Sequence, residues 1–352
     1  MKSLLETDLG LFATVAFGVG FGVSLLLLKG LLALPYFQRK ISRQEKGRSS
    51  RNTLSFRLGG AALILGFLLV IFFDHRIILS SGLWGLVLGS ASILLFGLMD
   101  DHRPLPWWVQ LVFQVALGAL LVSFGLRIEL MQGLFGGSFD LRSAWIPGLP
   151  IVALFPWLIL IMNAVNWLDG LDGLLGSVTF IGFLTLFAVS LFPEVHQPAL
   201  SLLSLTLAGG SFAFLLFNWH PARLIAGTSG AYFLGFALAT LSVVAGAKVA
   251  TALLVLSLPI LDALWVLYER FRSGVSLFLP DNRHLHYRLL ELGWTVPQVS
   301  LAYTAVTLCM AILALHTQAF GKVVVFSLAA LTILIFCVSV SFLVHKKQVE
   351  QS

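Results

Sequence analysis

Apolar runs long enough to cross a lipid bilayer divide this chain almost from end to end. They cover residues 9–35, 58–73, 80–99, 107–124, 147–165, 174–192, 199–217, 229–245, 249–267, 298–316 and 321–344. A spanning helix takes about 20 apolar residues, whereas a barrel strand takes about 10. Inside hydrocarbon every backbone polar group must be satisfied within the protein, so only helices and closed barrels cross. The run lengths select helices. The sequence therefore predicts an all-α polytopic membrane protein with about ten to eleven transmembrane helices. Residues 1–352 read as a single membrane domain, without a strong internal repeat or a low-complexity linker. Hydrophobic residues make up 58% of the chain and charged residues 11%. A soluble domain carries about 25% charged residues, so this chain cannot cover a soluble surface with polar groups. The first run begins near Leu9 and reads as a mature span, not a cleaved leader. Cys309 and Cys337 both lie in apolar runs and give neither a disulfide framework nor a thiolate metal site.

Orientation follows from basic residues in short loops. Arg39, Lys40, Arg43, Lys46, Arg48, Arg51 and Arg57 crowd the loop between the first two runs. Placing that loop in the cytoplasm puts the N-terminus outside and the C-terminus inside. The predicted cytoplasmic loops then lie near 36–57, 100–106, 166–173, 218–228 and 268–297. The net charge of +6 sits in loops between spans. It suits lipid headgroups and anionic substrates, and no nucleic acid is expected.

The polar residues with chemical potential fall on this same side. Asp100 and Asp101 close the third run in GLMDDHRPLP, where Pro104 and Pro106 are expected to stop the helix. The stretch Asn163-Ala-Val-Asn166-Trp-Leu-Asp169-Gly-Leu-Asp172-Gly ends the fifth run. Its three-residue spacing puts amides and carboxylates on one helical face, and Gly170, Gly173 and Gly176 permit a break or a close approach. Acidic and amide groups at the end of an apolar helix are costly and point to function. Their hard oxygens suit Mg2+ or Mn2+ better than zinc. The segment PDNRHLHYRLLELGW carries Arg283, His284, His286 and Arg288, and Arg270 and Arg272 precede it. Two His at i, i+2 do not share a helix face. The pattern is no zinc signature, but its cations suit phosphate oxygens. Polar groups gathered at one membrane face argue against a transporter, whose sites lie near the midplane.

Taken together, these motifs resemble the polyprenyl-phosphate N-acetylhexosamine-1-phosphate transferase superfamily, over roughly residues 58–295 and in the family's order. The acidic pair is similar to Asp100-Asp101, and the asparagine-rich DGLDG stretch to Asn163, Asn166, Asp169 and Asp172. The family's Asn beside a Pro-Ala pair is similar to Asn218 with Pro221-Ala222, and its histidine loop to Pro280–Leu290. The loop resembles the branch that uses simple UDP-sugars. The resemblance implies transfer of a sugar-1-phosphate from a UDP-N-acetylhexosamine to undecaprenyl phosphate, with release of UMP. It implies a Mg2+-dependent enzyme of cell-envelope polysaccharide synthesis, multi-pass in the bacterial inner membrane, with its active face cytoplasmic and as a homodimer. Asp100, Asp101, Asp169 and Asp172 are the implied catalytic residues. Asp100, Asp101, Asp172 and Thr228 are the implied metal ligands. Asn163, Asn166, Asn218, Arg270, Arg283, His284 and His286 are the implied substrate contacts.

Three departures stand against that pattern. Thr228, in Gly227-Thr-Ser-Gly-Ala231, occupies the place of a family aspartate that binds magnesium. A neutral hydroxyl is a poorer ligand for a hard dication, and each 1.4 kcal/mol lost is about tenfold in affinity. Tyr287 stands where the family has a further His. The first loop lacks the family's Asp-x-Pro and Arg-Lys-x-His arrangement: Arg39-Lys40 are followed by Ile41-Ser42. These departures define an alternative expectation, a catalytically weak or inactive homologue that binds lipid phosphate or UDP-sugar or serves as an assembly partner.

Overall fold

A computed structural model describes residues 9–34, 57–74, 80–132, 138–143, 146–193, 197–246, 249–276 and 283–351, with Ile77 and Val195. The expected basic loop from Arg39 to Arg51 lies outside the described residues, as do Pro280 and Asp281. The helices are α1 (Leu9–Ala33), α2 (Gly59–Phe73), α3 (Ser81–His102), α4 (Trp107–Ser123), α5 (Leu149–Val152), α6 (Leu154–Leu168) and α7 (Leu174–Ser190). They continue as α8 (Pro198–Asn218), α9 (Gly227–Val244), α10 (Val249–Val255), α11 (Ser257–Arg272), α12 (Leu285–Glu291), α13 (Val296–His316) and α14 (Ala319–Gln351).

Each apolar run of the sequence coincides with one helix or with a broken helix. Among the described residues, seven helices are long and apolar enough to cross a membrane, or eight with the bent pair α10–α11, which turns by 76°. The shorter apolar helices α2, α4 and α7 account for the remaining runs. The chain is thus a helical, multi-span membrane protein. The strands among the described residues form a ribbon of Leu130–Gln132 (β1) against Ser138–Asp140 (β2), antiparallel, with Met131 opposite Phe139. Beside it Arg142 bridges Asp140 at 2.8 Å and Glu129 at 3.6 Å.

The core is centred on α9, which packs against α2, α3, α6 and α7. In its most apolar stretch 89% of the residues are buried, against 22% for α14. The exposed side chains of α14, such as Leu328, Leu331, Ile335 and Phe342, form the kind of surface that lipid covers. Small residues let the helices around α9 approach closely. The space that a side chain on Gly60 would need is filled by the Gly230 backbone, and that on Gly97 by the Ser229 backbone. The first amides of α2 reinforce this contact: Gly59 N–H donates to Ile225 O at 3.2 Å and Gly60 N–H to Ala226 O at 3.1 Å. These approaches bring the ends of α2 and α3 onto the first turn of α9.

Candidate active site

The first turn of α9 is the hub on which the sequence-predicted acids meet. A helix begins with N–H groups that have no partner within the helix and carries a partial positive charge there. Two carboxylates answer that need. Asp101 accepts from Thr228 N–H at 2.9 Å and from Ser229 N–H at 3.3 Å, and Ser229 Oγ adds a bond of 3.2 Å. Asp169 accepts from Gly227 N–H at 2.8 Å and Ala226 N–H at 3.3 Å. Arg57, just ahead of α2, stands 3.5 Å from Asp101. Gly227 has φ +67°, and a β-carbon there would lie 2.6 Å from both Asp101 carboxylate oxygens.

Asp100 is held differently, by neutral donors. Its Oδ1 accepts from Leu105 N–H at 2.8 Å and Gln110 Nε2 at 3.1 Å, and its Oδ2 from the Thr228 hydroxyl at 2.6 Å. The Tyr232 hydroxyl in turn donates to Gln110 at 2.8 Å. The sequence suggested that the acidic pair begins a loop at 100–106, but α3 runs on to His102 and both aspartates lie in its last turn. The prolines act only after that, so the loop is shorter than expected.

The DGLDG stretch does break the helix. α6 ends at Leu168, Asp169 caps it, and Gly173 turns the chain at φ +82° into α7. Asp172 then faces His220, whose Nδ1 is 2.8 Å from Oδ2, and accepts from Ala222 N–H at 3.1 Å. Asn218 is 2% exposed and acts as a bracket: it accepts from Gly173 N–H at 3.0 Å and donates to Leu224 O at 3.1 Å. Its amide oxygen and nitrogen thus tie these two turns together. Asn163 turns aside. Its amide donates to Gln114 at 2.9 Å and to Ile159 O at 2.8 Å, a polar seam between α6 and α4. Asn166 is half-buried, and its side chain has no hydrogen-bond partner among the described residues.

The histidine loop packs onto the same turn. Asp262 of α11 accepts from Leu285 N–H at 2.7 Å and stands 3.1 Å from His284 Nδ1, which fixes the start of α12. The His284 ring lies 5.3 Å from Trp167 and stacks at 5.6 Å on His286. The Tyr287 hydroxyl donates to Gly170 O at 3.4 Å. Space for a side chain on Gly170 is taken by Tyr287 Oη and His286 Nε2. The i, i+2 histidines straddle a helix start: His284 caps α12 and His286 sits in its first turn. Arg270 is buried at the end of α11 and Arg283 is partly buried beside the loop. Arg288 is committed to Glu269 and Ser341, away from the acids.

His286 is 1% exposed, and neither ring nitrogen has a partner among the described residues. Burial pushes its imidazole down to about 4 from its ordinary 6.5. Above pH 6.5 the ring is neutral both folded and unfolded, and folding gains nothing and loses nothing from it. As pH falls from about 6.5 to about 4 only the unfolded chain takes the proton, so stability is lost across that window, up to about 3 kcal/mol. Thermal midpoints in detergent should fall between pH 7 and pH 4.5. The fall should be shallower in His286→Gln. An equal fall in both proteins would place the sensitivity elsewhere.

The donor set has the hard oxygens that magnesium prefers, but the arrangement does not fit a preformed ion site. Asp100, Asp101 and Asp169 each accept at least two hydrogen bonds from the protein, and Asp172 is shared by His220 and Ala222. Thr228, the expected further ligand, directs its hydroxyl proton at Asp100. Among the described residues no three acidic, His or Cys side chains are grouped so as to hold a metal ion.

Gln110, Tyr232 and His220 belong to this site although the sequence did not single them out, and Arg57, read only as a cation of the first loop, joins them. Gln110 and Gln114, four apart on an otherwise apolar helix, were the available signal. His220 had none beyond its place two residues after Asn218.

Residues 83–246, which hold the four aspartates and Thr228, match the glycosyl transferase family 4 profile. A protein of Bacillus subtilis (strain 168) described as a probable undecaprenyl-phosphate N-acetylglucosaminyl 1-phosphate transferase is 29% identical over 293 residues, 78% of this chain and 77% of the relative. A decaprenyl-phosphate N-acetylglucosaminephosphotransferase of Mycobacterium tuberculosis (strain ATCC 25618 / H37Rv) is 30% identical over 341 residues, 83% of this chain and 82% of the relative. The undecaprenyl-phosphate alpha-N-acetylglucosaminyl 1-phosphate transferase of Escherichia coli (strain K12) is 27% identical over 241 residues, 65% and 63% of the two chains. With relatives of this identity and coverage, and with the acids gathered on α9, the chain belongs to glycosyl transferase family 4, the polyprenyl-phosphate N-acetylhexosamine-1-phosphate transferase superfamily.

Proposed function

We propose that this protein transfers N-acetylhexosamine-1-phosphate from a UDP-sugar to undecaprenyl phosphate, releasing UMP, at the cytoplasmic face of a bacterial inner membrane. The observation that carries the reading is the convergence of Asp100, Asp101 and Asp169, from two separate helix ends, on the first turn of α9. That convergence lies in a chain whose relatives are described as polyprenyl-phosphate N-acetylglucosamine-1-phosphate transferases. A lipid phosphate oxygen attacks the β-phosphorus of the UDP-sugar, the bond to the bridging oxygen breaks, and UMP leaves with that oxygen. Asp100 is the group assigned to take the proton of the lipid phosphate, because its partners are neutral side-chain and loop donors. Asp101 and Asp169 satisfy α9 and hold the frame. The positive end of α9 is thereby occupied by carboxylates, so phosphate oxygens need other cations. Arg270 and Arg283 are assigned that role on the histidine-loop side, with His284 and the neutral ring of His286 as hydrogen-bonding contacts to the substrate. Asp172 oriented against His220, and the open amide of Asn166, line the turn between the two groups.

Magnesium enters this proposal as the counter-ion carried by the nucleotide's diphosphate, since the protein's own carboxylates are already engaged. The homodimer rests on the resemblance alone, and particle mass in nanodiscs checks it. The activity is tested by incubating purified protein with undecaprenyl phosphate, a panel of UDP-N-acetylhexosamines and Mg2+ or Mn2+, followed by mass spectrometry of the lipid fraction. A lipid diphosphate carrying one sugar is the expected product. Folded protein that yields no such lipid with any donor would overturn the proposal.

A further inference from the structure

We infer that Thr228 is a positioning residue for Asp100, acting through its hydroxyl, and does not serve as a ligand for a resident metal ion. This inference rests on the transferase reading above. One residue holds both members of the acidic pair. The Thr228 amide donates to Asp101 Oδ1 at 2.9 Å while its hydroxyl donates to Asp100 Oδ2 at 2.6 Å. The hydroxyl bond has the length of an O–H···O− interaction, among the stronger side-chain hydrogen bonds.

The opposite oxygen of Asp100 is fixed by Leu105 N–H and by Gln110. Gln110 is itself held by the Tyr232 hydroxyl and by its own bond of 3.2 Å to Leu105 O. The carboxylate is therefore gripped from two sides, by α9 and by the start of α4, and every gripping group is neutral. Asp100 is 5% exposed, so water does little to orient it. Two carboxylates in hydrogen-bond contact cannot both stay ionised unless a proton or a cation sits between them. An aspartate at position 228 would put a second carboxylate against Asp100 Oδ2 and make the pair depend on such a cation. With threonine the contact is self-sufficient: a donor meets an acceptor and no ion is needed to hold the geometry. Position 228 thus sets the direction of the Asp100 carboxylate toward the lipid phosphate.

The test compares Thr228→Ser, Thr228→Val and Thr228→Asp with the wild-type protein in nanodiscs. Thr228→Val keeps the shape and removes the hydroxyl. It is expected to lower kcat about tenfold or more with KM for the UDP-sugar nearly unchanged, because only the orientation of a reacting group is lost. Thr228→Ser restores the donor and is expected to retain kcat within about threefold. Mn2+ binding to the substrate-free proteins, read by electron paramagnetic resonance, is expected to be the same in wild type and Thr228→Val. Three results overturn the inference: full kcat in Thr228→Val, Mn2+ binding present in wild type and lost in Thr228→Val, or a raised kcat in Thr228→Asp with less divalent ion needed for half-maximal rate. Absence of product from the wild-type protein instead overturns the transferase reading, which keeps the two failures apart.

Discussion

Replacing Gly227 by alanine should cost this protein its activity by on the order of a hundredfold or more, the scale of misplacing a reacting group by about 1 Å. Gly227 opens α9 at φ +67°, a backbone region that costs an L-residue about 1–2 kcal/mol. The new methyl would also lie 2.6 Å from both carboxylate oxygens of Asp101. Something must give, and the buried carboxylate is the movable partner. Once it shifts, the Thr228 and Ser229 amides lose their acceptor, and the last turn of α3 that carries Asp100 shifts with it. Gly246→Ala supplies the control. Gly246 also has a positive φ, +74°, but a methyl there would meet no atom within 4 Å. Gly246→Ala should lower the thermal midpoint slightly and leave UMP release nearly intact, whereas Gly227→Ala loses both. Similar activity in the two variants would show that the contact with Asp101 is not what matters.

Asp101→Asn is expected to be comparably severe for a different reason. The Asp101 side chain is 0% exposed and accepts from two backbone amides and one hydroxyl. An asparagine has a single oxygen, so one N–H of α9 meets an NH2 group whichever way the amide sits. Leaving a buried donor unsatisfied costs about 1–3 kcal/mol. Removing the negative charge from the helix N-terminus adds about 1 kcal/mol. Arg57, 3.5 Å away, also loses its counter-charge. A thermal midpoint several degrees below wild type and UMP release down by about a hundredfold are expected. Wild-type release from Asp101→Asn would show that Asp101 is dispensable to the site.

The helices were legible because hydropathy along a membrane chain reports one dominant requirement. Each apolar run became a helix or a broken helix, including the short run 58–73, but the bend inside the run 249–267, between α10 and α11, was not read from the sequence. The ribbon at 130–140 was not legible: its strands are three residues each and carry no periodic signal. The site was half legible. Asp100, Asp101, Asp169, Asp172 and the histidine loop stand out because charged groups are rare in such a chain; the structure brings the first three onto the first turn of α9, Asp172 onto His220 and Ala222, and the histidine loop onto Trp167 and Gly170. What the sequence could not show is direction. Asn163 and Asn218 look like neighbours of the acids, yet their amides serve Gln114 and the Gly173–Leu224 bracket. Gln110 and Tyr232 look like incidental polar residues in apolar helices, yet they orient Asp100. Such assignments depend on which helix faces which, and that is settled by close approaches such as Gly60 to Gly230 and Gly97 to Ser229.

UMP release by purified protein, with and without undecaprenyl phosphate and beside Asp100→Asn, bears most directly on the role given to the acidic pair. Release is expected to require the lipid phosphate and to fall by at least about a hundredfold in Asp100→Asn. Release that ignores the lipid, or that persists unchanged in Asp100→Asn, would contradict that role.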